Sequence, residues 1–506
     1  MIHSVSTKTV PTKAEMIELQ IDYKSDIPLN RQIYLQIREM ILDGRLPCET
    51  QIPATREIAR KYEMARMTVN VAYEQLEIEG YVVSKPGSGT FVCSGLQLVS
   101  GGQHKTEIEL SNWAERMTSP EMTSALDVGR QSLESHHPNV EIDFGFGRSF
   151  SHIFPFDVWR KLSARYLSTD DALLSKYGSV GGFGPLREAI ASYVGRQRGV
   201  NCRPEQVFII SGMQQALDIL SRMLLNPKDE VIVETPGYVN ASRVFRSYGA
   251  NLRPVPVDEN GFRTDRIPAD SDARLIFVTP SNQFPHGGAM PVKRRLELIH
   301  WARSRNALII EDDYDGELRY AGSPISALQG LDDSGRVIYL GTFSKVLLPA
   351  LRLGYIVLPQ QLCEPFLRAK MLMDRGAPTL TQAAIADFIT EGHFERHLRN
   401  LRKLYAERRG VLVRAIKEHL DDVVTFADHP AGFHVMLYLK DGLSEQHVIA
   451  ETRKKGVAVY AGRPYHLGDW APPSLVLGFS DLDNTQIEEG IRRLGEVLRQ
   501  PAASMN

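Results

Sequence analysis

Only four cysteines occur in 506 residues, Cys48, Cys93, Cys202 and Cys363, far apart and with no CxxC pair. That excludes a disulfide framework and leaves no zinc or other metal site to expect. No apolar run approaches about 18 residues, so no membrane span is expected. The opening MIHSVSTKTVPTKAE has no apolar signal-peptide core and reads as a loose tail. A reducing cytoplasm fits these features. Excess charge is missing too. The chain has 59 Lys/Arg against 61 Asp/Glu, a formal net charge of −2, so no global basic field announces nucleic acid. Internal repeats and low-complexity tracts are absent.

The length suggests about three domains, and three zones are legible. The first runs over 27–93. The second, 94–140, opens with Ser94-Gly95 and Ser100-Gly101-Gly102 and ends near Ser135-His136-His137-Pro138. It reads as a linker with short helices at most, such as 108–117. The third, 141–500, alternates strand-like runs with helical stretches: VFII (207–210), EVIVE (230–234), RLIFV (274–278), ALIIED (307–312) and RVIYL (336–340). That alternation predicts an α/β domain with a parallel sheet and right-handed crossovers. From about residue 395 a long charged helix leads into short strands, a smaller α+β subdomain over 395–500.

In the first zone Leu29, Ile33, Ile37, Met40 and Ile41 form a helical stripe. A short helix over 55–62 and a second over 68–79 then make a helix-turn-helix. Residues 80–92 read as a hairpin with a glycine-rich tip, a wing. A recognition helix presents its first residues to the major groove. Here these are Arg66, Met67, Thr68 and Asn70. Arginine suits guanine edges and asparagine suits adenine edges. Thr55 and Arg56 sit at a helix start, where backbone N–H groups favour a phosphate. Lys85, Gly87 and Gly89 form the wing tip, and the glycines permit close approach to a minor groove. Residues 26–93 hold eight Lys/Arg and nine Asp/Glu, so binding to double-stranded DNA rests on a few placed cations. This module resembles the winged helix of the GntR superfamily of bacterial transcription factors along its whole length. It departs at Ala65, where relatives carry serine, and at Asn70, where many carry arginine. The operator sequence therefore does not carry over.

In the third zone, Gly341-Thr342-Phe343-Ser344-Lys345 with Arg352 seven residues on suits pyridoxal 5′-phosphate. The amine of Lys345 can form a Schiff base with the aldehyde, and the hydroxyls and Arg352 can hold the phosphate. The run 309–312 is an apolar strand ending in acids, and ligands of open α/β sheets lie at such strand ends. Asp312 can face a protonated pyridine nitrogen, and Tyr314 can reach the ring oxygen. Ser211-Gly212-Met213-Gln214 follows a strand and opens a helix, an arrangement suited to phosphate. Tyr238 follows another strand and can stack on a flat ring. These motifs, with 177–194 ahead of them, resemble the fold-type I aminotransferase domain over 141–500. Joined to the GntR-like head, the whole chain resembles the MocR subfamily of GntR regulators.

The resemblance implies Lys345 as the Schiff-base residue, Asp312 as the pyridinium partner, Tyr314 near the ring oxygen and Tyr238 as the stacking residue. It implies phosphate contacts from Met213, Gln214, Thr342, Ser344 and Arg352. Where many aminotransferases read Asn-Pro-Thr-Gly, this chain has Ser281-Asn282-Gln283-Phe284-Pro285-His286-Gly287, and Asn282 is the candidate for the asparagine role. The late strand 474–480 lacks the arginine that commonly binds a substrate carboxylate. Arg463 and Arg148 are the candidates for that task, and Asn240 stands where amino-acid-binding relatives can carry another arginine. The resemblance implies a homodimer, with a linker long enough for the heads to cross between subunits. Three functions stay open: a regulator that senses an amine or amino acid through the cofactor, a sensor of the cofactor itself, and a working aminotransferase with a DNA-binding head.

Overall fold

The structure is a computed structural model that describes residues 17–95, 108–119, 122, 140–145, 151–168, 174–440, 443–468 and 471–499. It divides into two compact units, 1–109 and 110–506, so the division falls inside the stretch expected to be a linker. The opening tail lies outside the described residues.

The first unit holds α1 (Leu29–Leu42), β1 (Gln51–Ile52), α2 (Thr55–Lys61), α3 (Arg66–Ile78), β2 (Val82–Lys85) and β3 (Gly89–Val92). The apolar stripe of α1 is real: Ile33, Ile37 and Ile41 are buried against Val69, Ala72, Tyr73 and Leu76 of α3. β1 pairs with β3, and β3 pairs with β2, so the wing is a three-stranded antiparallel sheet. The unit also begins earlier than residue 27. Ile17 and Leu19 are buried in its core, and the amide of Leu19 donates to the Tyr62 hydroxyl. A stretch with so few apolar residues gives no periodic signal, and its place is set by tertiary contacts.

The second unit opens with α4 (Asn112–Met117), capped by the Ser111 hydroxyl, which accepts from the amide of Ala114. This is the short helix expected in the linker. β4 (Ile142–Asp143), α5 (Phe156–Ser168) and α6 (Gly184–Arg198) follow, and α6 ends on Gly199 in the left-handed conformation. The alternating run then comprises β5 (Val207–Ile210), α7 (Met213–Leu224), β6 (Glu230–Thr235), α8 (Val239–Ser247), β7 (Asn251–Asp258), β8 (Gly261–Phe262), β9 (Leu275–Val278), α9 (Val292–Ser304), β10 (Leu308–Asp313), β11 (Val337–Thr342) and β12 (Gly354–Val357). Every one of the five strand-like runs in the sequence is a strand. α4 packs on α8: the Arg116 Nε donates to the carbonyl of Ser247 at 2.9 Å.

The large sheet has the order β5-β12-β11-β10-β9-β6-β7-β8. Its centre, from β11 through β10, β9 and β6 to β7, is parallel. β12 runs antiparallel between β5 and β11, one reversed strand in the expected parallel-rich sheet. The cause is local. A single 3-10 turn, Pro349–Leu351, ends on Arg352 with φ +48°, and the chain returns beside β11 with no α-helix to make a crossover. The central strands are buried throughout, as a sheet covered on both faces requires.

The remainder comprises α10 (Gln360–Met373), α11 (Thr379–Thr390), the 27-residue α12 (His393–His419), β13 (Val424–Phe426), β14 (His434–Leu439), α13 (Glu445–Lys454), β15 (Val457–Ala458), β16 (Tyr460–Ala461), β17 (Ser474–Gly478) and α14 (Asn484–Leu498). β13, β14, β17 and β16 form a four-stranded sheet. The small subdomain is not one continuous stretch, because β4 pairs in parallel with β15. No helix among the described residues is long and apolar enough to cross a membrane.

Candidate functional sites

A cavity of about 160 Å³ opens at the carboxyl ends of the central strands. Its wall is made by Met213 and Gln214 at the start of α7, Tyr238 before α8, Asp312 and Tyr314 at the end of β10, Thr342, Ser344 and Lys345 after β11, and Arg352 before β12. Nine residues expected from the sequence thus meet in one place. The cavity also contains Gly212, Phe284 and Phe433. The two phenylalanines carry no chemical signature, and in the sequence each reads as loop or core.

β10 decides which of its acids faces the cavity. Side chains alternate across a strand, so Glu311 and Asp313 share the face opposite Asp312. Glu311 accepts the amides of Leu328 and Gln329. Asp313 holds Arg198 at 2.7 and 3.0 Å and accepts the Tyr339 hydroxyl at 2.6 Å. Asp312 is 5% exposed, and its Oδ1 is buried with no hydrogen-bond partner. Burial pushes its carboxyl up to about 8, reinforced by Asp313 and Glu234, with Lys345 acting against the rise. Such an acid calls for a donor or a positive charge from a ligand.

Lys345 lies 5.4 Å over the Phe433 ring. Burial lowers its ammonium below the usual lysine range, while Asp312 and Asp315 oppose the shift. Asn282 donates to the Tyr314 hydroxyl at 3.2 Å and to Asp315 at 2.6 Å, and its Oδ1 is buried without a partner. The Tyr238 hydroxyl receives Gln214 at 3.3 Å and Asn240 at 3.4 Å. The Phe284 ring stands edge-on to both Tyr238 and Tyr314.

The opposite end is shaped for an anion. Gly212 precedes α7 with φ +92° and ψ 168°, a region essentially restricted to glycine. A Cβ there would lie 2.9 Å from the Arg352 Nη2. The first amides of α7 therefore face the same space as the Arg352 guanidinium, with the helix dipole behind them. The Thr342 hydroxyl accepts the amide of Ser344 at 3.1 Å, which fixes the turn carrying Lys345.

Arg463 is exposed, and its guanidinium donates to the carbonyl of Gly468. It is not among the cavity-lining side chains. Arg148 lies outside the described residues.

In the head, Arg66 and Met67 are exposed at the start of α3, and Thr68 and Asn70 are half-buried beside them. The Arg66 Nε reaches the Thr55 hydroxyl at 3.4 Å, so the starts of α2 and α3 meet, with Arg56 exposed alongside. At the wing, Gly87 and Gly89 have φ of +73° and +109°, and the Lys85 amine lies 4.8 Å over the Phe91 ring.

Residues 29–92 match the family of bacterial regulatory proteins, gntR family, and residues 142–494 match aminotransferase class I and II. A probable rhizopine catabolism regulatory protein, MocR, of Rhizobium meliloti is 38% identical over 94% of this chain and 95% of its own length. The chain belongs to the MocR subfamily of GntR regulators. A pyridoxine biosynthesis transcriptional regulator, PdxR, of Corynebacterium glutamicum is 30% identical over 89% of this chain and 92% of its own. Among solved structures, a kynurenine aminotransferase of Pyrococcus horikoshii superposes with a TM-score of 0.70 at 30% identity, covering 77% of this chain and 96% of its own. An α-aminoadipate aminotransferase of Thermus thermophilus, with N-(5′-phosphopyridoxyl)-L-leucine, gives 0.69 at 28%, covering 77% and 97%. This MocR chain is therefore a DNA-binding transcription regulator whose fold-type I domain uses pyridoxal phosphate. The cavity fits that cofactor on its own terms. The orphaned Asp312 oxygen matches a ring N–H, the orphaned Asn282 oxygen and Tyr314 match the ring's polar edge, and the Gly212–Arg352 cradle matches a phosphate.

Proposed function

We propose that the protein is an amine-responsive transcription factor in which the cofactor cavity is the receptor. One observation carries the reading: a single chain pairs a winged helix with a cavity in which a half-buried lysine and a buried acid with an unpartnered oxygen face the same space. Pyridoxal phosphate, when bound, supplies an aldehyde that condenses reversibly with a primary amine. The protein's own residues do the rest. Gly212, Met213, Gln214, Thr342, Ser344 and Arg352 hold the phosphate end. Asp312 would accept the ring N–H, and beside a positively charged ring its carboxyl would be held ionised. Tyr238 and Phe284 fix the plane of the ring and keep water from it. Lys345 Nζ, whose ammonium burial lowers below the usual lysine range, would lose its proton readily and offer its lone pair to that aldehyde.

The response follows from differential binding. An amine acts as a signal only if it favours one arrangement of the protein over another. Thr55, Arg56, Arg66, Met67, Thr68, Asn70, Lys85, Gly87 and Gly89 form the DNA-reading face in this account. Three domains are assigned: the head, a linker over about 94–140, and the receptor domain from about 141 to 500. The protein works in the cytoplasm as a homodimer, with heads free to cross between subunits. Transaminase chemistry is residual.

Operator binding measured by fluorescence anisotropy, with the cofactor and with a panel of amines, tests this. A shift in operator affinity on adding an amine, abolished by Lys345→Ala, supports the reading. Steady turnover of amino acid and oxo-acid at about 1 per second or faster, with operator binding indifferent to every amine, would favour the second reading of an aminotransferase carrying a head. A response to pyridoxal phosphate alone would favour a cofactor sensor.

A further inference from the structure

A second cavity, of about 200 Å³, shares no residue with the cofactor cavity. Tyr193, Gln197 and Arg198 near the end of α6, Glu317 and Arg319 after β10, and Arg402 on α12 line it. It lies on the side of β10 turned away from Asp312, where Arg198 pairs with Asp313. Three arginines thus face one acid, and their charges are not all answered. Arg198 is closed by Asp313 at 2.7 Å. The Arg402 Nε donates to the carbonyl of Glu317 at 2.6 Å, a neutral partner, and its guanidinium forms no ion pair among the described residues. The Arg319 guanidinium has neither a hydrogen bond nor an ion pair among the described residues, and its Nε is buried.

Glu317 does not supply the missing charge. It faces the Tyr193 hydroxyl at 3.5 Å. Burial, reinforced by Asp313, pushes its carboxyl up to about 7, against Arg198 and Arg402. Near neutral pH it is only a partial counter-charge. Asp315 shares a gap of about 10 Å³ with Arg319, but it accepts Asn282 at 2.6 Å and forms no ion pair with Arg319. Arg319 is also held in place. Its backbone bridges to Ala431, the amide of Gly432 donates to the Leu318 carbonyl at 2.9 Å, and the amide of Tyr320 donates to the Pro430 carbonyl at 2.9 Å. A donor fork on a fixed backbone, with its Nε out of water, is pre-organised for a partner that the described chain does not provide.

We propose that this second cavity binds a small oxyanion, gripped by Arg319 and Arg402, at a site separate from that of the cofactor. Guanidinium forks match phosphate and carboxylate oxygens alike, so the shared chemistry is a compact anion of either type. The Tyr193 hydroxyl and the Gln197 amide offer further donors. The site goes beyond the amine-receptor reading and does not rest on it. The two cavities are nonetheless neighbours: Asn282 lines the gap beside Arg319 and donates to the hydroxyl of Tyr314 in the cofactor wall.

Calorimetric titration of the full-length protein tests this, with pyridoxal phosphate bound so that the Gly212–Arg352 cradle is already filled. Inorganic phosphate and malonate are the probes, and sodium chloride at matched ionic strength is the control. At least one probe should bind with a Kd of about 1 mM or tighter, and the better of the two identifies the type of anion. Arg319→Gln and Arg402→Gln should each weaken that binding about ten-fold or more, with the visible spectrum of the bound cofactor unchanged. Arg319→Lys, which keeps the charge and loses the fork, should fall between wild type and Arg319→Gln and controls for folding. Heats no larger than those of sodium chloride for both probes overturn the proposal. So does an affinity within about two-fold of wild type in both glutamine variants, the result expected if the anion sits elsewhere on the protein.

Discussion

The cofactor cavity and the DNA-reading face are both small sets of polar residues on strand ends and helix starts, yet they disclose their ligands very differently. In the cavity, polar atoms are buried, and those left unpaired specify the missing partner: Asp312 wants a donor and Asn282 another. On α3 and the wing, the cations are exposed and open to solvent. Burial makes a polar group's needs explicit, because a lone charge out of water is expensive. Solvent exposure erases that information. The structure therefore speaks clearly about a cofactor and hardly at all about an operator sequence.

The contrast can be broken by substitutions at each site. Lys345→Ala should have the largest effect, complete loss of the visible absorption of the covalently held cofactor; an unchanged spectrum would remove Lys345 from its role. Asp312→Ala comes next. Removing one partner of a buried charge pair costs roughly 3–5 kcal/mol, so cofactor affinity measured by equilibrium dialysis should drop at least a hundred-fold.

The same acid gives a pH signature in cofactor-free protein. Its carboxyl is raised from 3.8 to about 8, so the folded state holds its proton more tightly than the unfolded chain. Stability from this group is full below about pH 4 and is lost as pH rises through about 8. Glu234, Glu311 and Glu317, each raised to about 7 chiefly by burial, act in the same direction. Melting temperatures between pH 5 and 8 should fall with pH, and Asp312→Asn should flatten the slope without removing it. Bound cofactor should reverse the sign of the Asp312 contribution.

Arg66→Ala, on the exposed side of the comparison, should cost about 1–3 kcal/mol of operator binding and relax specificity at one base pair. Gly212→Ala should cost about 1–3 kcal/mol in stability from its backbone angles alone, and should weaken cofactor binding by pressing on Arg352. Lys85→Ala should have the smallest effect: weaker binding to all DNA sequences alike, read as a salt dependence shallower by about one unit. A strong sequence-specific loss at Lys85 would mean that the wing reads bases.

The comparison also explains what was legible in the sequence. Lys345, Asp312 and Arg352 could be found because reactive types stood at strand ends, where an alternating pattern puts ligands. The five central strands were equally plain. β12 was not, since four residues after a turn carry no mark of direction, and direction follows from the backbone of Arg352. Phe284 and Phe433 were missed because an aromatic in a loop or strand looks the same whether it packs on protein or on a ring. Arg319, in a run reading Asp-Gly-Glu-Leu-Arg-Tyr, resembles any solvated loop charge until its buried Nε is known. Residues 17–26 join the head through side-chain bonds to Gln32, Gln36 and Tyr62, which no local pattern announces.

α8 begins next to Tyr238, at the cavity wall, and ends at Ser247, whose carbonyl is gripped by Arg116. Nine residues of helix span about 13 Å, a stiff rod with the cavity wall at one end and Arg116 at the other. A rod transmits displacement without storing it. A tilt set by whatever sits against Tyr238 would arrive at Arg116 as a movement of similar size.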